Sequence, residues 1–154
     1  MSPVASINTP EGQIISLFPS GTSLNESNEL LIGGCSASEL VSTFGTPAVI
    51  IDEAALRDRA RRYLDGLRSR WPNSEVVWAS KSLPLTSVFR TLGEEGLAVD
   101  VAGGGELVMA LAAGVKPSKI LMHGNAKTDH EIEMAVEAGV GTIVIDNFDD
   151  IDRL

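Results

Sequence analysis

The sequence predicts an α/β chain built on a parallel sheet, and two observations carry that expectation. Apolar strand-like runs begin near Glu75, Leu97, Lys119 and Gly141, about 22 residues apart, and a helix-like segment follows each one. The connections between these units are short, so successive strands should lie parallel with right-handed crossovers. A doubly wound open sheet and a β/α barrel both satisfy this pattern. Near-equal units favour the barrel, of the TIM type, and four units make about half of its eight strands.

The elements follow in order. Residues 1–28 are rich in Ser, Thr, Asn, Gly and Pro with scattered apolar groups, and are expected to form a mobile arm. Order is expected from Glu29. Leu30, Leu31 and Ile32 suit a short strand before Gly33-Gly34. Ser36 and Glu39 have capping-box spacing and open a helix with Leu40, Val41 and Phe44 as its apolar face, stopped by Gly45-Thr46-Pro47. Residues 48–51 read as a buried strand, and Asp52 then caps a helix over residues 53–69 with Leu56, Ala60, Tyr63, Leu64 and Leu67 on one side.

Val76, Val77, Trp78 and Ala79 form the continuous apolar run of a strand covered on both faces, which delivers Ser80 and Lys81 into a turn. The later helices are marked by Val88, Phe89 and Leu92; by Leu107, Ala110 and Leu111; by Ile132, Ala135 and Val136; and by Phe148 and Ile151. Thr128 with Glu131 supplies a second capping box, while Gly96, Gly114 and Gly139 close their helices. The chain reaches Leu154 inside the fourth helix of the series. Half a barrel leaves two open sheet edges, so the sequence is expected to be a piece of a longer protein; obligate pairing with a copy of itself is the other way to hide those edges.

Composition narrows the function classes. The 154 residues are 44% hydrophobic and 21% charged with net charge −9, an acidic globular chain. That balance argues against a nucleic-acid or anionic-membrane surface. Arg57, Arg59, Arg61, Arg62, Arg68 and Arg70 are interleaved with Asp58 and Asp65 on one helix, a solvated face with local ion pairs. Cys35 is the sole cysteine, which excludes an intrachain disulfide and a cysteine-based zinc site. The amino terminus lacks a basic start followed by an apolar run, and no stretch has the length of a membrane span, so a cytoplasmic protein is expected.

In parallel β/α architectures ligands lie at the carboxyl ends of the strands. Those ends carry Ser80 and Lys81, Asp100, His123-Gly124-Asn125, and Asp146-Asn147. A lysine held where apolar walls meet solvent is desolvated, which leaves more of its neutral, nucleophilic amine available to condense with an aldehyde. Asp100 is placed to orient or charge-balance Lys81, and His123 with Asn125 to supply hydrogen bonds, His123 serving equally well as a packing histidine. Asp146 and Asn147 read as helix caps, and His130, in a first helical turn, as exposed. Gly103-Gly104-Gly105 lacks the P-loop ending and the dinucleotide spacing, and Glu106 would repel a phosphate, so these glycines read as turn formers. No paired carboxylates, metal-ligand spacing or Gly-x-Ser-x-Gly elbow is present, which leaves hydrolase and metalloenzyme readings without residues and no metal expected.

Several segments stand together in the order of a known family: Phe44-Gly45-Thr46-Pro47 followed by Val49-Ile50-Ile51-Asp52; Trp78-Ala79-Ser80-Lys81-Ser82; the run from Glu95 through Asp100 to Leu107; Ala110-Leu111-Ala112-Ala113-Gly114; and His123-Gly124-Asn125-Ala126-Lys127. From about Glu29 to Leu154 the chain resembles the amino-terminal third of the diaminopimelate decarboxylase family, pyridoxal-phosphate enzymes of the alanine-racemase-like barrel class. The lysine motif alone also fits ornithine, arginine and carboxynorspermidine decarboxylases; His123-Gly124-Asn125 with Lys127 is closest to the diaminopimelate branch.

The resemblance implies pyridoxal 5'-phosphate as cofactor, Lys81 as the Schiff-base lysine, and Ala79, Asp100 and His123 as cofactor contacts, with Asp100 approaching Lys81. It implies a small-molecule amino-acid substrate, meso-diaminopimelate decarboxylated to L-lysine and CO2, and a homodimer. It also implies that residues 29–52 contribute to a second β domain and that residues 53–154 are the first half of the cofactor barrel. The chain departs from the family at Ser82-Leu83-Pro84, where Ala or Val with Asn is common. The family's ring-stacking histidine, phosphate-binding glycines, ring-nitrogen carboxylate, substrate-binding arginine and tyrosine, and partner-subunit cysteine fall beyond residue 154, and Cys35 does not match that cysteine. The chain alone is therefore expected to be inactive. A non-catalytic pyridoxal-phosphate-binding or interaction protein, and another decarboxylase or a racemase of the same barrel class, are the alternatives.

Overall fold

The computed structural model describes residues 14–154, so the first thirteen residues of the expected arm lie outside the described residues. The chain forms two compact units, the first ending at Arg59 and the second running from Ala60 to Leu154.

The first unit holds a small antiparallel sheet of β1 (Thr22–Leu24), β2 (Leu30–Ile32) and β3 (Cys35–Ser36), in that order. Order thus begins earlier than the expected Glu29: Thr22 pairs with Ile32 and Leu24 with Leu30. The side chain of Asn25 explains why this polar stretch turns. Its Oδ1 accepts the N–H groups of Ser27 at 3.0 Å and Glu29 at 2.9 Å, a local substitute for backbone pairing.

Ser36 caps α1 (Ala37–Phe44) by accepting the Glu39 N–H at 3.2 Å, and its own hydroxyl donates to the Glu29 carboxylate. That hydrogen bond is the largest cause holding the Glu29 carboxyl below its usual range. The expected apolar face of α1 is not buried, Val41 and Phe44 being 50% and 72% exposed. Residues 48–51 are likewise not the buried strand expected. They carry no ladder, and Val49, Ile50 and Ile51 are exposed. A short β-branched run has the composition of a central parallel strand, but burial needs a paired edge, and the small sheet of this unit contains only β1 to β3 among the described residues. Asp52 does cap the next helix, its Oδ1 accepting the Ala55 N–H at 3.0 Å at the start of α2 (Glu53–Arg68). Ala60 and Leu64, one turn apart, are the buried positions of α2, whereas Tyr63 is exposed.

The second unit is a parallel sheet of β4 (Val77–Ala79), β5 (Ala98–Val101), β6 (Ile120–Met122) and β7 (Thr142–Ile143), ordered β4-β5-β6-β7. Helices α3 (Thr86–Glu94), α4 (Gly104–Ala112), α5 (Asp129–Ala138) and α6 (Phe148–Arg153) follow the strands in turn. Thr128 and Glu131 form the expected reciprocal capping box on α5, and Gly139 closes that helix in the left-handed conformation at φ 71°.

Register explains which side of this sheet is core. Trp78 lies beside Val99, Val99 beside Ile120, Val101 beside Met122, and Met122 beside Ile143. Residues in register on parallel neighbours share a face. Val99, Val101, Ile120 and Met122 are wholly buried and pack with Phe89, Leu107, Ala110 and Ala135 of the helices. The other face carries Val77, Ala79, Ala98, Asp100, Leu121 and Thr142; Ala98 is wholly buried, and the rest lie outside that core. Among the described residues the helices pack on the Val99 face, while on the other face burial is complete at Ala98 and partial at Ala79, Asp100 and Leu121. Phe148 and Ile151 have helical spacing but are 88% and 55% exposed, and the buried residue of α6 is Asp150.

Candidate active site

The strand β4 hands its last residue to a 3-10 turn, Ser80–Ser82, that carries Lys81. The turn is braced from below. Trp78 packs edge-on against Phe89 with ring centroids 5.1 Å apart, its indole N–H donates to Ser82 Oγ at 3.1 Å, and the Ser82 hydroxyl donates to the Ala79 carbonyl at 2.9 Å. Ser80 is wholly buried with a hydroxyl that lacks a hydrogen-bond partner. Lys81 points outward: it is exposed and makes no hydrogen bond or ion pair among the described residues. Lys81 lies past the end of β4 and outside the helix-packed core, so the apolar walls expected around it are not formed by the described residues.

Register brings the next two residues together at the same end. Ala79 stands beside Asp100, and Asp100 beside Leu121, two residues before His123. Side chains alternate along a strand, so His123 returns to the face of Asp100. The imidazole Nδ1 of His123 contacts Asp100 Oδ1, while its backbone N–H donates to the Val101 carbonyl at 2.9 Å. Asp100 is thus engaged by His123 and not by Lys81. Both side chains are partly exposed, at 24% for Asp100 and 30% for His123, so a ligand can reach the pair. Asn125 is exposed, Asn147 caps α6 by accepting the Asp150 N–H at 2.9 Å, and Asp146 is an exposed residue just before that cap. His130 is exposed in the first turn of α5.

The amino terminus of α4 shows why its glycines do not cradle a phosphate. Gly104 N–H already donates to Glu131 Oε1 at 2.9 Å and Ala102 N–H to Glu106 Oε2 at 2.5 Å, so carboxylates of the protein fill the positions an anion would take. A Cβ on Gly103 would come within 3.1 Å of Glu131 Oε1, which accounts for the small residue there. A cavity of about 370 Å³, lined in part by Arg90, Glu94, Leu97, Lys116 and Lys119, lies at the opposite end of the strands and is not part of this site.

Sequence reasoning missed the charged pair beneath the His123 loop. Lys127 and Asp150 are buried, with Nζ and Oδ2 at 2.8 Å, and the hydrogen bond from Lys127 is the largest of the causes that hold the Asp150 carboxyl below its usual range. The available signal was the place of Lys127 at the end of the His123-Gly124-Asn125-Ala126-Lys127 segment. No helix among the described residues is long and apolar enough to cross a membrane.

Comparison with known proteins identifies the family. Residues 54–154 match the family described as pyridoxal-dependent decarboxylase, pyridoxal binding domain. The chain is 44% identical over 138 residues to a diaminopimelate decarboxylase of Actinosynnema pretiosum subsp. auranticum, covering 90% of this chain and 30% of that protein. Among solved structures, the diaminopimelate decarboxylase of M. jannaschii in co-complex with L-lysine superposes with a TM-score of 0.80 at 27% identity, covering 88% of this chain and 32% of that one. A lysine/ornithine decarboxylase of Vibrio vulnificus complexed with putrescine gives 0.66 at 29% identity, covering 75% and 31%. The chain spans about 30% of the length of the curated relatives it matches. With its parallel sheet, its lysine at the carboxyl end of the first strand and a family match over well more than half its length, the chain belongs to the pyridoxal-dependent decarboxylases, matched in their pyridoxal binding domain.

Proposed function

We propose that this chain carries the cofactor lysine of a pyridoxal-phosphate-dependent lyase of lysine biosynthesis, which releases CO2 from meso-diaminopimelate and leaves L-lysine. The observation that carries the reading is the amine of Lys81, unengaged and accessible at the carboxyl end of β4, the same end of the sheet that carries the Asp100–His123 pair. The residues present fit an aldehyde cofactor: a free primary amine to bind it, the small Ala79 leaving room beside that amine, and a carboxylate-imidazole pair at the same sheet end. The bound pyridoxal ring supplies an electron sink for the charge left when a carboxylate departs as CO2.

The chain's own residues have narrower tasks. Lys81 anchors the cofactor covalently. Asp100, by accepting from His123 Nδ1, sets the tautomer that leaves Nε2 as an acceptor toward ligand, and the imidazole orients what is bound there. Charge is balanced at fixed positions before reaction, so little reorganisation is needed as the bond breaks. The names of the relatives support diaminopimelate as substrate, and the complete protein is read as a cytoplasmic homodimer.

The test uses the complete protein. The wild type should purify with the visible absorbance of lysine-bound cofactor and release CO2 from meso-diaminopimelate in preference to L-lysine or L-ornithine. Lys81→Ala should lose both the absorbance and the gas release. An unchanged cofactor spectrum in Lys81→Ala refutes the assignment, preference for L-ornithine or L-lysine moves the substrate to the neighbouring decarboxylases, and epimerisation without gas release makes the protein a racemase.

A further inference from the structure

We propose that Lys127 is a positioning residue that holds the His123 imidazole on Asp100 by tying together the loops that follow β6 and β7. The inference rests on the reading of His123 as part of the site. The Lys127 side chain is fully buried, and a lysine is seldom so unless its charge and donors are all matched. Here they are. Its ammonium donates to the Gly124 carbonyl at 2.6 Å and to the Val144 carbonyl at 2.9 Å, and it meets Asp150 Oδ2 at 2.8 Å. Three donors thus find three acceptors.

Two of those acceptors are backbone groups of neighbouring loops. Gly124 directly follows His123, and Val144 directly follows β7, its own N–H donating to the Met122 carbonyl at 2.8 Å. The Gly124 turn has no slack on its other side. Its φ is +119°, and a Cβ there would stand 3.1 Å from the Ala102 carbonyl oxygen, so the turn runs close by the end of β5 where only glycine fits. Asp150 is in turn fixed by the Asp146 N–H at 3.0 Å and by Arg153 at 2.8 Å, and Arg153 closes the circuit by donating to the Lys127 carbonyl at 2.6 Å. A buried apolar side chain would serve stability as well as a buried ion pair does. Only a donor at this spot can grip two carbonyls, and what the grip fixes is the residue next to Gly124.

The test is made on the complete protein without cofactor, by long-range 1H–15N correlation of histidine rings, the His123 signal being assigned by its loss in His123→Gln. The wild type should show the Nδ1-protonated tautomer that Asp100 selects. Lys127→Met should shift His123 toward the Nε2-protonated form, and Lys127→Met/Asp150→Asn, which removes both charges, should fold and show the same shift. With cofactor bound, the double variant should lose about 10- to 100-fold in kcat/KM, as small misplacements of a catalytic group do. A folded double variant with the wild-type ring signals overturns the proposal, and a double variant that does not fold overturns it by making the clamp a folding device. Absence of turnover in the wild type would end the decarboxylase reading, yet the ring signals would still decide the clamp.

Discussion

Ser80 is wholly buried beside the candidate cofactor lysine, and its hydroxyl is among the buried side-chain atoms with no hydrogen-bond partner. Neighbouring Lys81 faces the open surface, while Ser80 takes the inward parity shared with Trp78, which packs against Phe89. A buried polar atom without a partner costs about 1–3 kcal/mol, whereas an apolar replacement of the same shape carries no such penalty. Ser80→Ala should therefore leave the protein as stable or more stable, by up to about 1 kcal/mol, in denaturant unfolding of the cofactor-free protein. A loss of stability would mean the hydroxyl is hydrogen-bonded in solution. Nothing in the sequence separates the two residues: Ser80 and Lys81 stand side by side at the end of one apolar run, and only the turn geometry sends one into the core and the other out.

At the scale of elements, Glu131 joins two helices. Its Oε2 accepts the Thr128 N–H and hydroxyl, each at 2.9 Å, at the start of α5, and its Oε1 accepts the Gly104 N–H at 2.9 Å at the start of α4. The Thr128 N–H, then that of Gly104, hold this carboxyl below its ordinary value of 4.5. A depressed carboxyl contributes stability that is complete above its unfolded value and is lost as pH falls through the folded one. Glu131→Ala should cost about 1–2 kcal/mol at neutral pH, the range of a lost helix cap. Unfolding curves for wild type and variant should converge below pH 4.5, and parallel curves across that range would remove the carboxylate from the account. The capping box on α5 was legible because Thr128 and Glu131 are three residues apart, and Asp52 and Ser36 were legible as caps for the same local reason. The link to Gly104 was not, since it spans 27 residues and exists only once α4 and α5 are packed. Residues 48–51 misled in the opposite sense: their local composition is that of a strand, but among the described residues no strand pairs with them and they stay exposed.

For the second unit as a whole, the decisive feature is a sheet whose one face packs against the helices while the other bears Asp100 and, beyond its strand ends, the candidate chemistry. The spacing of apolar runs revealed four strand-helix units, since each repeat leaves its own period in the chain. It concealed the sidedness, because an unbroken apolar run does not say which face packs against the helices and which bears the site. The same limit applied to the site: Lys81, Asp100 and His123 were visible as strand ends, but the contact between Asp100 and His123 depends on a register 23 residues apart in sequence. Sidedness makes a quantitative prediction. Leu107, with no exposed surface, packs in the cluster formed by Val99, Val101, Ile120 and Met122, whereas Val77, 38% exposed, lies on the opposite face, outside that cluster. Leu107→Ala should cost about 2–5 kcal/mol, the transfer of the lost groups plus the cavity left behind. Val77→Ala in the same 154-residue chain should cost under about 1 kcal/mol, since the groups removed are already partly in water. Urea unfolding of the two variants side by side measures the difference. Equal losses would mean that the face bearing Val77 is as well packed in solution as the helix-covered one, which would in turn shield the approach to Lys81 that the accessible amine requires.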